Sequence, residues 1–132
     1  MSSRAHRHAK ANEDASKLQF GAEFQDASCL SISEVNALLD QRDERVSITP
    51  VYEKTLAYVK QSATYQDVAT ITSVRAALQK IPELVAFEQA QLSNLCPESV
   101  EEAKALIPSL QDKPDGALEE ILSEMQTLRR YQ

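Results

Sequence analysis

Glycine is almost missing from these 132 residues: Gly21 and Gly116 are the only two. A phosphate-cradling loop or a dinucleotide fingerprint needs several glycines at fixed spacing, so both are excluded. Tryptophan is absent and aromatics make up only 5%. The core therefore has to come from Leu, Ile, Val and Ala, which favours helices packed through aliphatic stripes. Two cysteines, Cys29 and Cys96, are too few and too far apart for a secreted disulfide scaffold, and both are expected as reduced thiols. No run approaches the ~18 apolar residues of a membrane span, and MSSRAHRHAK lacks the apolar stretch of a secretory signal. The expectation is a soluble, intracellular chain with no membrane partner.

What is present suits one domain, or one domain with an arm. An apolar content of 42% is enough for a core at this length. The net charge of −6 is unevenly spread. Arg4, Arg7 and Lys10 make the first ten residues basic, which leaves eleven bases against twenty acids in the rest. A body that acidic repels phosphate backbones. Residues 1–13 have no periodicity and are expected to be a disordered basic arm. His6 and His8 lack companions at ligand spacing, and no metal or other cofactor is expected.

In "KLQFGAEFQDASCL", Leu18 and Phe20 alternate with polar residues as a short strand would, Gly21 interrupts, and Phe24 and Leu30 continue without helical spacing. One strand in a helical chain leaves its backbone groups unpaired, which suits addition to a partner's sheet; the other reading is irregular coil packed on its own helices.

Helical signals become dense at Ser31. Ser31 and Glu34 have capping-box spacing, and Ile32, Val35, Leu38 and Leu39 form one stripe. Thr49 caps a second helix with Pro50 in its first turn, and Val51, Thr55, Leu56, Tyr58 and Val59 are expected as its buried side. Asp67 caps a third, with Val68, Ile71, Val74 and Leu78 inward. Pro82 is expected to open a fourth carrying Leu84, Phe87, Leu92 and Leu95. Pro97 opens a fifth, with Ser99 and Glu102 as a capping box and Pro108 as its end. A sixth carries Leu118, Ile121, Leu122, Met125 and Leu128 and ends in Arg129 and Arg130, cations that suit a helix C-terminus. The expected fold is an all-α small helical bundle over 31–132, preceded by an extended segment over 14–30.

Catalytic chemistry finds no support in this pattern. Cys96 at a helix start resembles an activated thiol, but both histidines lie in the basic arm, and Glu98, Glu101 and Glu102 oppose thiolate formation. The carboxylates recur at helix starts and on polar faces rather than as a catalytic pair. No catalytic residue is assigned.

"NLCPESVEEAKALIPSL" closely resembles the signature of the family of fourth subunits of eukaryotic DNA-directed RNA polymerase II, which have a counterpart in the archaeal polymerase. "EDASKLQFGAEF", "SEVNALL", "YEKTLAYV", "SVRAAL", "FEQAQLSNL" and "ILSEMQTLRRYQ" extend the likeness collinearly over about residues 13–132. The resemblance implies a noncatalytic stalk subunit that forms a heterodimer with the seventh subunit, supports transcription initiation and nascent-RNA handling, and acts in the nucleus with shuttling to the cytoplasm open. It also implies an HRDC-like C-terminal part over about 66–132. By the same likeness, Leu18, Phe20 and Phe24 belong to a partner-wrapping segment and Val35, Leu38 and Leu39 to the first helix at the partner interface. RNA would be met mainly through the partner. "VKQSATYQDV" departs from a basic, aromatic run common in relatives, which weakens any direct nucleic-acid contact there. The alternative is a freestanding helical adaptor or single-strand nucleic-acid-binding module, for which a basic face would be the mark.

Overall fold

Ser31 starts the helical body as its spacing predicts. In the computed structural model, which describes residues 13–132, its hydroxyl accepts from Glu34 N at 3.2 Å while Glu34 Oε1 accepts from Ser31 N at 2.9 Å. Among the described residues six α-helices follow one another: α1 Ile32–Asp40, α2 Pro50–Ser62, α3 Val68–Gln79, α4 Ala86–Leu95, α5 Val100–Leu106 and α6 Asp115–Arg130. The basic segment expected over 1–13, with His6 and His8, lies outside the described residues but for Glu13. Thr49 caps α2, accepting from Tyr52 N, and Asp67 caps α3, accepting from Thr70 N. Each cap satisfies a backbone donor that has no partner inside its helix.

Two helix starts differ from expectation. Pro82 lies in a turn, and α4 begins only at Ala86, where the Glu88 carboxylate accepts from Val85 N at 3.0 Å. Pro97 is buried before α5 rather than inside its first turn. Cys96, at φ 44°, ends α4 in the left-handed conformation, and a proline directly after it bars continuation. Ser99 then caps α5, but Glu102 reaches back to Glu98 N instead of closing a box on Ser99.

The apolar core is drawn from the C-terminal half. Tyr65, Val74, Leu78, Leu92, Ala103, Leu110, Leu118, Ile121, Leu122 and Met125 are all nearly or wholly buried in one cluster that α3 to α6 share. A 3-10 turn, Pro108–Asp112, seats Leu110 in it. Glu88, fully buried, ties this region together: Ser109 Oγ donates to Oε2 at 2.8 Å and Lys113 Nζ stands 3.7 Å from Oε1. Tyr65 and Cys96 meet inside, hydroxyl to Sγ at 3.3 Å, and burial followed by that contact pushes the phenol's pKa well above its ordinary value.

The pair α1 and α2 pack on each other and hardly enter this core. Val51 is 74% and Tyr58 60% exposed, so the expected buried side of α2 is reduced to Val59, with Leu56 half-buried. Val68, expected inward on α3, is also exposed. Polar bonds attach the pair to the rest. Ser33 Oγ accepts from both Thr64 N and Tyr65 N, at 3.1 and 3.0 Å, and Asn94 Oδ1 accepts from Ile32 N at 2.8 Å.

Candidate partner interface

The segment before α1 begins with a clip. Asp14 caps a 3-10 turn, Ala15–Lys17, and Leu18 follows at φ 57°, which turns the chain back so that Asp14 and Gln19 exchange backbone bonds of 2.8 and 2.9 Å. That reversal replaces the strand suggested by the alternation of Leu18 and Phe20, since a left-handed residue cannot sit inside a regular strand. Gln25 then closes the loop. Its side chain accepts from Phe20 N at 3.0 Å and donates to Leu18 O at 3.2 Å.

This closed loop lies against the entry to α4. The rings of Phe20 and Phe87 stand 5.0 Å apart at 56°, a tilted aromatic contact. Between loop and helix lies a mainly apolar groove of about 460 Å³, lined by Leu18, Phe20, Phe24, Gln25, Val85 and Phe87. Phe24 is 65% exposed on it. Further along, Arg75 fixes the segment's end: its guanidinium donates to Cys29 O at 3.0 Å and pairs with the Glu34 carboxylate. Burial works to raise the Glu34 pKa, but the hydrogen bonds from Arg75 and Ser31 and the adjacent charge prevail and hold it below the usual carboxylate value.

Of the six residues assigned to partner binding, the groove brings together Leu18, Phe20 and Phe24. Val35, Leu38 and Leu39 stand on α1 and do not line it. Val35 and Leu39 are half-buried, while Leu38 is 55% exposed. The opposite wall, Val85 and Phe87, went unassigned, because the sequence carries no mark of a contact across some sixty positions. Val46, Ile48, Val51 and Tyr58 are further exposed apolar residues around α2. The helical spacing of Val51 and Tyr58 reads as core, and only their exposure shows otherwise. Among the described residues no cluster of His, Cys, Asp and Glu is arranged to hold a metal ion, and no helix is long and apolar enough to cross a membrane.

The described residues form a helical body with a clipped N-terminal segment and an apolar groove between the two. The family model described as RNA polymerase Rpb4 matches residues 7–129. DNA-directed RNA polymerase II subunit 4 of Arabidopsis thaliana is 35% identical, covering 91% of this chain and 96% of the relative. The subunit rpb4 of Dictyostelium discoideum is 36% identical, covering 90% of each. That of Schizosaccharomyces pombe is also 36% identical, over 91% and 94%. The chain belongs to the RNA polymerase Rpb4 family, one of accessory subunits rather than the catalytic large ones.

Proposed function

We propose that this chain is the noncatalytic fourth subunit of an RNA polymerase II, that it forms a heterodimer with the seventh subunit, and that the pair joins the polymerase core in the nucleus to support initiation and the handling of nascent RNA. The observation that carries this is the family match over residues 7–129 in a chain whose first helical pair leaves Leu38, Val51 and Tyr58 exposed. Leu18, Phe20 and Phe24 on the segment over 14–30, with Val35, Leu38 and Leu39 on α1, form the partner-binding surface of this reading. The helical body over 31–132, including an HRDC-like part over about 66–132, is the scaffold that presents it.

Direct binding of RNA by this chain alone is not part of the proposal. The three bases before residue 11 aside, eleven bases face twenty acids, and counterion release gives such a surface little affinity for phosphate. Co-expression with a seventh subunit tests the reading. A 1:1 complex by size exclusion with light scattering is expected, and a folded chain that stays monomeric beside a folded partner would overturn it.

A further inference from the structure

Between α5 and α6 lies a second groove, of about 620 Å³, lined by Val100 and Leu122 and by the carboxylates of Glu98, Glu101, Asp115 and Glu119. All four acids are exposed, and no lysine or arginine lines the groove. Negative charge suits the positive end of a helix dipole, which accounts for Glu101 and Asp115 in the first turns of α5 and α6. It does not account for Glu119, a turn further in.

Lys104 stands beside this groove, but its charge is already matched: Nζ donates to Asp115 Oδ1 at 2.6 Å and to Gln111 O at 3.3 Å. Glu98, Glu101 and Glu119 make no ion pair among the described residues. Other clefts carry both signs of charge, Arg75 with Glu34 in one and Lys80 with Glu83 in another. Three unmatched carboxylates beside an apolar strip suit a segment that carries lysine or arginine.

The chain supplies such a segment itself. Residues 1–12 hold Arg4, Arg7 and Lys10 and no acid. The place where they join the body is suitable too, because the 3-10 turn Ala15–Lys17 packs against Pro108–Asp112, the turn that leads towards α6. Twelve residues reach at most about 40 Å, and Asp115 to Gln126 spans about 16 Å of helix. A short tether also gives the attached segment a roughly millimolar effective concentration, enough to populate a contact too weak to retain a free peptide. We propose that residues 1–12 dock in the groove between α5 and α6, with Arg4, Arg7 and Lys10 set against Glu98, Glu101 and Glu119. This contact is independent of the heterodimer reading. The docked segment neutralises the groove and must leave before any other basic segment enters.

A nitroxide on Ser3→Cys, in a Cys29→Ser background of the full chain, tests this by paramagnetic broadening of amide signals. At low salt broadening is expected at Val100, Glu119 and Ser123, and it should vanish near 1 M salt, where charges are screened beyond about 3 Å. A triple Glu98→Gln, Glu101→Gln, Glu119→Gln variant should lose it even at low salt. The three altered side chains are exposed, so the fold is expected to persist, and the melting temperature checks it. Broadening absent from α5 and α6, or unchanged by salt, or equal with and without the triple substitution, would overturn the proposal. Broadening on an isotope-labelled copy without nitroxide, mixed with an unlabelled copy that carries it, would make a second copy the occupant and overturn it too. A synthetic peptide of residues 1–12 gives an independent readout. It should shift the same amides in a chain lacking residues 2–11, and at equal concentration shift those of the full chain at least about fivefold less, because the tethered segment competes. Equal shifts in the two chains would mean that the groove stands open, against the proposal.

Discussion

Residues 31–63 and residues 65–132 are both helical, yet they are built on different terms. Of the fully buried apolar side chains, Val59 alone belongs to the first region; all the others lie from Tyr65 onward. The second region has a shared aliphatic interior, where burial at roughly 25 cal/mol per Å² supplies the main driving force. The first has caps, a few polar bonds to the body and apolar side chains turned outward. Its helical pair holds its place without closing its own core. The contrast teaches that the stabilising interior is confined to the second region, and on the proposed reading the first is left for a partner to cover.

The largest effect is expected where the contrast is sharpest. Leu92→Ala, at a wholly buried position, should cost about 2–5 kcal/mol by denaturant unfolding. A loss below about 1 kcal/mol would mean that the C-terminal region is not the stabilising one. Ser33→Ala removes the acceptor shared by two amides and should cost about 1–2 kcal/mol, with hydrogen exchange quickening first at Thr64 and Tyr65. Uniform quickening across all six helices would show that the two regions unfold as one.

Acid should sharpen the same division. The Glu34 pKa is lowered in the folded chain, so the stability it contributes is complete above the ordinary carboxylate value of about 4.3 and is lost as pH falls through the lower folded value. Glu34→Gln should flatten this part of the acid transition, read from α1 amide signals against those of α6. The smallest effect belongs to Leu38→Ser, which should alter stability by no more than about 0.5 kcal/mol because the side chain is exposed. Its consequence should appear in the heterodimer instead, and an unchanged complex would take Leu38 out of the interface.

Local chemistry made most helix boundaries legible. Ser31, Thr49, Asp67 and Ser99 all cap the helices expected of them, because a cap is settled within a few residues, although the box expected at Ser99 closes on Glu98 instead. Pro82 and Pro97 misled because proline fits a first turn and the stretch just before a helix equally well, and what decides is tertiary: Glu88 at one start, the left-handed Cys96 at the other. The outward side of α2 was read as core because periodicity reports that a face is apolar, not what covers it. The same limit governs the groove. Leu18, Phe20 and Phe24 were found as an apolar series without helical period, whereas Val85 and Phe87 become its wall only when the folded chain brings them close.

Two cysteines mark different depths of the molecule. Cys29 is partly open, beside the segment that leads into the first helical pair, while Cys96 is buried in the second region at the end of α4. An alkylating reagent should therefore reach the former from the native state and the latter only after α4 and its neighbours part. Timed labelling of the unmodified sequence would turn the two thiols into paired clocks, one for the surface that meets a partner and one for the core that supports it.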